Sequence, residues 1–385
     1  MAVPPIAIIG GGPCGLTLAR LLQQKGIDYI IYERDQCEST SRRGGCLDIH
    51  AETGQRAIKE CNLFDQFKKY ARWESTVLTL ADKHGKKVSS IGEGRDAPEI
   101  DRIQLRQILL DSIPKEKLHW GQVLKSVKRG DDGTPALEFA DGSTRSGFKL
   151  VVGADGAWSK VRSMINQAKP KYSGVHYIEA TISPNNPLYS TMVSTVGLGS
   201  YAAMGSSKQI ISMRQGDGSY RAYFGLHLPE DFVREANLDL SNTEAVRSLF
   251  LSEGYFEDWA EGLKDFIRHG EDFHSWPLYS LPTESLEWKA VPGFTLAGDA
   301  AHLSVPNGEG VNMAMTDALM LANKIAEHGL AEGLDGAVQE YEQEMFPRGM
   351  STIEDGLQMH KAMLSEDAPH SFLQALGIGA SAHSD

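Results

Sequence analysis

The residues best suited to chemistry stand at the head of the chain. Gly10-Gly11-Gly12-Pro13-Cys14-Gly15 is a G-x-G-x-x-G run that closes one apolar stretch and opens a helical one, and Glu33 ends the next apolar stretch. Gly10 permits a tight turn, Gly12 lets a pyrophosphate approach the backbone, and Gly15 allows close helix packing. The helix N-terminus offers N–H donors to an anion. Glu33 is placed to accept hydrogen bonds from an adenosine ribose. Alone, the glycines could mark an ordinary strand-turn-helix corner. The acid in the following strand points to a dinucleotide, with FAD and NAD both open at this stage. Two more runs, Gly153-Ala154-Asp155-Gly156-Ala157-Trp158-Ser159-Lys160-Val161-Arg162 and Gly298-Asp299-Ala300-Ala301-His302, set a carboxylate beside a glycine.

These groups need a βαβ frame. Residues 6–9 read as a buried strand, 16–24 as a helix stopped by Gly26, and 28–33 as a second, parallel strand. Residues 103–110 have helical spacing, and 137–139 lead through the hairpin signal Asp141-Gly142 to the apolar run 150–152. From about 172 to 281 the texture becomes β-rich, with strands at 210–213 and 220–228 around Gly216-Asp217-Gly218, as expected of an inserted substrate domain. Ser241 and Glu244 have capping-box spacing for a helix there. A strand at 294–297 and a helix from about Val311 return to the first domain, and a final helix at about 334–364 braces the two. The expected boundaries are 1–171 and 282–330 for the dinucleotide domain, 172–281 for the substrate domain, and 331–385 for the last helix and tail.

Composition narrows the possibilities. A chain of 385 residues with 41% hydrophobic and 23% charged residues suits two globular domains around a sizeable ligand. No run approaches the ~20 apolar residues of a membrane span. The start of the chain lacks a basic n-region, so a first strand is expected there, not a signal peptide. Cys14, Cys37, Cys46 and Cys61 show no C-x-x-C spacing, so neither disulfides nor a metal site is expected, and the cytoplasm is the expected compartment. A formal charge of −13 speaks against nucleic acid and anionic membranes as partners. A monomer is expected.

The run 153–162 resembles the Asp-Gly fingerprint of class A flavoprotein monooxygenases, the single-component aromatic hydroxylases, and 298–302 resembles their Gly-Asp fingerprint. With the glycine loop these stand in the family's order, and the resemblance covers essentially the whole chain. It implies an α/β fold: a Rossmann-like FAD-binding domain of the GxGxxG type, an inserted β-sheet-rich substrate domain and a C-terminal bracing helix. It also implies FAD as cofactor, with NADPH or NADH and O₂ as co-substrates. No second G-x-G-x-x-G follows a strand, which fits transient nicotinamide binding. The implied reaction passes hydride to the flavin, forms a C4a-hydroperoxide and transfers its distal oxygen to an electron-rich ring, with no obligatory catalytic acid or base.

By the same resemblance, Gly10, Gly12 and Gly15 meet the pyrophosphate, Glu33 and Arg34 the adenosine end, and Asp155 and Gly156 the Asp-Gly contact. Gly298 and Asp299 reach the ribityl chain or ribose, while Gly308, Gly310, Val311 and Asn312 wrap backbone around the flavin edge. Arg102 and Arg106 match an arginine-bearing helix beside the cofactor; the plainer reading of Arg106 is a solvent-exposed helix arginine. The family usually has Gln where this chain has Glu309, and a carboxylate beside an anionic flavin opposes reduction unless it faces solvent, which is the expectation. The run Arg42-Arg43-Gly44-Gly45-Cys46-Leu47-Asp48-Ile49-His50 is similar to the flavin-proximal segment of tetracycline-inactivating monooxygenases. It implies Gly45 and Asp48 near the cofactor and Arg42 or Arg43 at nicotinamide-nucleotide phosphates.

The substrate-binding Gln, Arg and His of those enzymes fall near Glu179, Tyr201 or Ala202, and Tyr223, and none is preserved, which speaks against tetracycline itself. Met204, Tyr223 and Phe224, with Pro306, suggest an apolar wall for a bulky polycyclic aromatic or polyketide-like small molecule; the plainer alternative is sheet core. His227 and His302 are possible bases, with His302 better suited to supporting the Asp299 loop. The rival readings are a flavin halogenase, against which no Trp-x-Trp-x-Ile segment is found, an FAD-linked reductase without oxygenation, and a flavin-binding sensor. Baeyer–Villiger insertion would be a variant of the main reading.

Overall fold

A parallel sheet is covered on both faces, so its strands are apolar on both, and Ile6–Ile9, buried along its whole length, is such a strand. The computed structural model describes residues 3–40 and 44–378. Its five-stranded parallel sheet runs Phe294–Leu296, Leu150–Gly153, Ile6–Ile9, Tyr29–Tyr32, Leu118–His119. The crossover helix Pro13–Gln24 starts earlier than its apolar periodicity suggests, since proline is pre-set for a first helical turn. The mixed α/β architecture expected from the sequence is thus present: a Rossmann-like parallel sheet and a separate sheet-rich part.

The chain forms two compact units. The first holds Met1–Ala71, Arg102–Lys171 and Ser280–Asp355; the second holds Arg72–Asp101, Tyr172–Tyr279 and Gly356–Asp385. In the second, a seven-stranded sheet runs Glu271–Ser280, Lys171–Ile182, Tyr220–His227, Lys208–Arg214, Ser200–Gly205, Leu78–Asp82, Lys87–Ile91. The last two strands come from a stretch that the sequence reading left with the dinucleotide domain. They join this sheet through parallel pairing of Leu78–Asp82 with Ser200–Gly205, a long-range contact that no local pattern encodes.

One face of this sheet presents Ile178, Tyr201, Ala203, Ile210 and Phe224 to a core shared with Met192, Val246, Phe250 and Phe266 of the covering helices. On the other face Leu80, Ala202 and Met204 pack with Ala368, Phe372 and Leu373. This corrects the expected substrate wall. Neighbouring strand residues point to opposite faces, so Tyr223 and Phe224 cannot line one surface, and the side chains of Tyr201, Phe224 and Met204 are spent on core packing. The capping box is corrected as well. Asn242 caps Thr243–Phe250 by accepting from the Ala245 N–H at 3.2 Å, while Ser241 bonds back to Asp239. Phe224→Ala should therefore destabilise the protein by about 3–5 kcal/mol, read from its urea unfolding curve, as deletion of a fully buried aromatic ring does.

Candidate functional site

The glycine loop is tight for reasons visible atom by atom. Gly10 has φ +110°, and a Cβ there would meet the Ala154 carbonyl oxygen at 2.3 Å; at Gly15 it would meet the Gly10 carbonyl oxygen at 2.1 Å. Around Gly12 nothing lies within 4 Å of the Cβ position, and no side chain caps the helix that follows. Glu33, 1% exposed, accepts from the Gly11 N–H at 2.5 Å and the Asp35 N–H at 2.9 Å. Arg106 is buried, which removes the plain surface reading. It donates to the Gly11 and Glu38 carbonyls at 3.3 Å, approaches Asp35 at 3.4 Å, and lies over Trp120. Arg34 is exposed.

The two Gly/Asp runs are bolted together by Arg162, the last residue of the first run. Its buried guanidinium donates to the backbone oxygens of Ala157 at 2.9 Å, Asp299 at 3.1 Å and Ala300 at 2.8 Å. Asp155 accepts from the Lys160 N–H at 2.7 Å, and Gly156 supplies φ +77°. Burial pushes the Asp155 carboxyl up. Gly298, at φ +61°, donates to Asp317 at 2.9 Å, and the same carboxylate meets His302 at 2.6 Å and Arg348 at 3.0 Å. Burial raises the Asp317 carboxyl, but the His302 and Arg348 charges outweigh it and hold it low. Burial lowers His302, and Asp317 overrides that to keep it high. His302 therefore supports the loop, as expected. The sequence reading gave no role to Arg162, Asp317 or Arg348; only the position of Arg162 inside a fingerprint was a signal.

Asp299 itself is open to solvent although protein surrounds it. Desolvation pushes its carboxyl up, against the pull of His302, Arg102 and Arg162. Arg102 lies against Gly44, where a Cβ would come within 3.0 Å of its Nε. Further along, Asn312 is fully buried and accepts from the His50 N–H at 2.9 Å while donating to the carbonyls of Asp48 at 2.9 Å and Gly308 at 3.0 Å. Its side chain is thus consumed by protein. Gly308 has φ +83° and sits against the Asp48 carboxylate. His50 bridges Asp48 (2.8 Å) and Glu309 (3.0 Å), so Glu309, whose side chain stays 38% exposed to solvent, is ion-paired as well.

These features fit FAD. Open space over Gly12 and Gly310, helices Pro13–Gln24 and Gly310–His328 without side-chain caps, and an exposed carboxylate at Asp299 suit an elongated anionic molecule rich in hydroxyls. Gly45 lies in the short strand Cys46–Asp48's approach and is half-buried. Val311 opens the helix beside Gly310. Arg42 and Arg43 lie outside the described residues. Among the expected substrate residues, Glu179 is 2% exposed and pairs with Arg221, and it accepts from the Trp276 indole N–H at 2.8 Å. Tyr223 shares its face, 6.1 Å from the Tyr177 ring. Pro306 and His227 are exposed.

A family model described as an FAD binding domain matches residues 4–251 and 287–355, and the chain belongs to that family. Monooxygenase asqM of Emericella nidulans is 30% identical over 414 residues, spanning 91% of this chain and 93% of the relative. Monooxygenase penA of Penicillium thymicola is 30% identical over 413 residues, spanning 94% and 95%. The crystal structure of tetracycline destructase Tet(55) superposes with a TM-score of 0.74 at 18% identity, covering 98% of this chain and 97% of that one, a likeness of fold. The protein is an FAD-dependent oxidoreductase of the monooxygenase class. Among the described residues, no helix is long and apolar enough to cross a membrane.

His50 makes stability depend on pH. Burial alone would lower its pKa, but its bonds to Asp48 and Glu309 lift it from 6.5 to about 9. Because the folded-state value is the higher, this stabilisation is full below about pH 6.5 and is lost as the pH rises to about 9. The stability of the apo-protein should fall across that window by an amount on the order of 2–3 kcal/mol, seen as a drop in its thermal midpoint, and His50→Gln should flatten the slope.

Proposed function

We propose that this chain uses NADPH or NADH and O₂ to hydroxylate a bulky, planar aromatic or polyketide-like small molecule. The observation that carries the reading is the exposed Asp299 carboxylate, presented by a buried ion-pair network on the same unit as two helix N-termini free of side-chain caps. Bound FAD would supply the chemistry, accepting hydride and activating O₂. The chain's part is to hold and orient it. The Gly12 backbone and the N-terminus of Pro13–Gln24 would receive the pyrophosphate, and Asp299 would accept hydrogen bonds from ribityl or ribose hydroxyls. Backbone N–H groups from Gly308 to Asn312 would place partial positive charge where reduction builds negative charge.

For the substrate, the support is the part of the second unit's sheet that bears Met213 and Tyr223, both only partly buried, near the Glu179–Arg221–Trp276 cluster. An apolar strip edged by a fixed carboxylate, guanidinium and indole suits a large flat ring carrying polar substituents. At the positions where the arginine and histidine of tetracycline-inactivating enzymes fall, this chain has Tyr201 or Ala202 and Tyr223, which favours a different ring system.

Gly12→Val should fill the space a pyrophosphate needs and yield colourless protein of normal fold; a yellow holoprotein of unchanged FAD affinity would refute the placement. For the activity, the purified holoprotein is mixed anaerobically with NADPH or NADH, then aerated, across a panel of polycyclic phenols that includes a tetracycline. Flavin bleaching accelerated by one compound, with a product heavier by one oxygen, is the expected result. Bleaching without any oxygenated product would favour a reductase, and no bleaching would favour a sensor.

A further inference from the structure

His50 stands between two carboxylates, and both of its ring nitrogens are committed. Nε2 lies 2.8 Å from Asp48 Oδ2 and Nδ1 lies 3.0 Å from Glu309 Oε1. A neutral imidazole carries one N–H, so one of these contacts would set a lone pair against a carboxylate. The geometry therefore calls for an imidazolium. The ring is only 15% exposed, and its backbone is fixed by Asn312, the same residue that holds Asp48 and Gly308. Glu309 is the residue on which the helix Gly310–His328 begins, and its own N–H is held by Asn307 at 3.0 Å.

We propose that His50 and Glu309 act as a charge-matched positioning pair for the flavin, the imidazolium cancelling the carboxylate that this chain carries at the mouth of the helix Gly310–His328. This rests on the reading that FAD lies along Gly308–Asn312. A carboxylate at that place would repel an anionic reduced flavin and oppose its formation. Turned onto His50 it is offset by a positive charge that it shares with Asp48, so its repulsion of the cofactor is reduced and the positive helix end can act there. The pair also ties the segment 48–50 to the loop 307–312, so the two pieces of backbone that would approach the flavin are held by one ring.

The test measures FAD affinity by titrating apo-protein with FAD, and the flavin midpoint potential by dye equilibration, in wild type, His50→Gln, Glu309→Gln and the double variant. His50→Gln should raise the FAD dissociation constant about tenfold and make the potential more negative, because Glu309 loses its counter-charge. Glu309→Gln alone should make the potential more positive. The double variant should return to within about threefold of wild-type affinity and close to its potential. A purely structural His50 would change affinity and leave the potential where it was, and that result overturns the proposal. So does a double variant whose potential stays as low as that of His50→Gln. If His50→Gln does not fold, Glu309→Gln decides: a positive shift supports the pairing and no shift overturns it. Asp299→Ala is the separate control, since unchanged FAD affinity there would refute the placement of the cofactor itself, whatever the potentials show.

Discussion

Asp317 is buried, so its carboxylate depends on protein groups for its hydrogen bonds. The groups that meet it are the Gly298 N–H, the His302 ring and the Arg348 guanidinium. One buried anion thereby fixes the start of the Gly-Asp turn, the end of that turn and the long C-terminal helix relative to the helix that carries it. Breaking such a network by removing one partner is far more costly than never having built it, typically 3–5 kcal/mol. The turn that presents Asp299 is held in its left-handed start by this arrangement and by Arg162, which grips the same turn from the Asp-Gly side.

A second theme is that charge near the cofactor site is matched at short range. Arg106 neutralises the surroundings of Asp35 while holding the Gly11 carbonyl, and Glu33 holds the Gly11 N–H, so the glycine loop is gripped through both of its backbone groups. His50, set between Asp48 and Glu309, offsets one of those two negative charges. The exposed Asp299 is the exception, its charge felt by Arg102, Arg162 and His302 without being buried against them. A group that is pre-oriented but left accessible is what binding a polyhydroxylated chain requires.

In the second unit the decisive constraint is the period of two along a strand. It sorts Glu179 and Tyr223 onto one face and Ile178, Tyr201 and Phe224 onto the helix-covered face. Where the C-terminal residues Phe372 and Leu373 pack, the opposite face becomes core too, and Met204 goes with it. Residue type alone does not show this division, because it depends on which segment covers each face.

The βαβ opening, the glycine loop, the two Gly/Asp runs and the FAD family were all legible in the sequence, because each depends on residues adjacent in the chain. Apolar runs, a proline at a helix start and glycines at left-handed turns are local matters of backbone conformation and burial. Long-range pairing was not legible. Nothing near residue 50 announces that His50 will meet Glu309, or near 317 that Asp317 will join His302 and Arg348. The strands 78–91 entered the second sheet for the same reason, through contacts formed only once distant segments were brought together. The sequence by itself determined which motifs exist and what cofactor they suit. The tertiary structure decided which charges are matched and which aromatic residues are core, since partnering a buried charge or covering a strand face depends on neighbours far away in the chain.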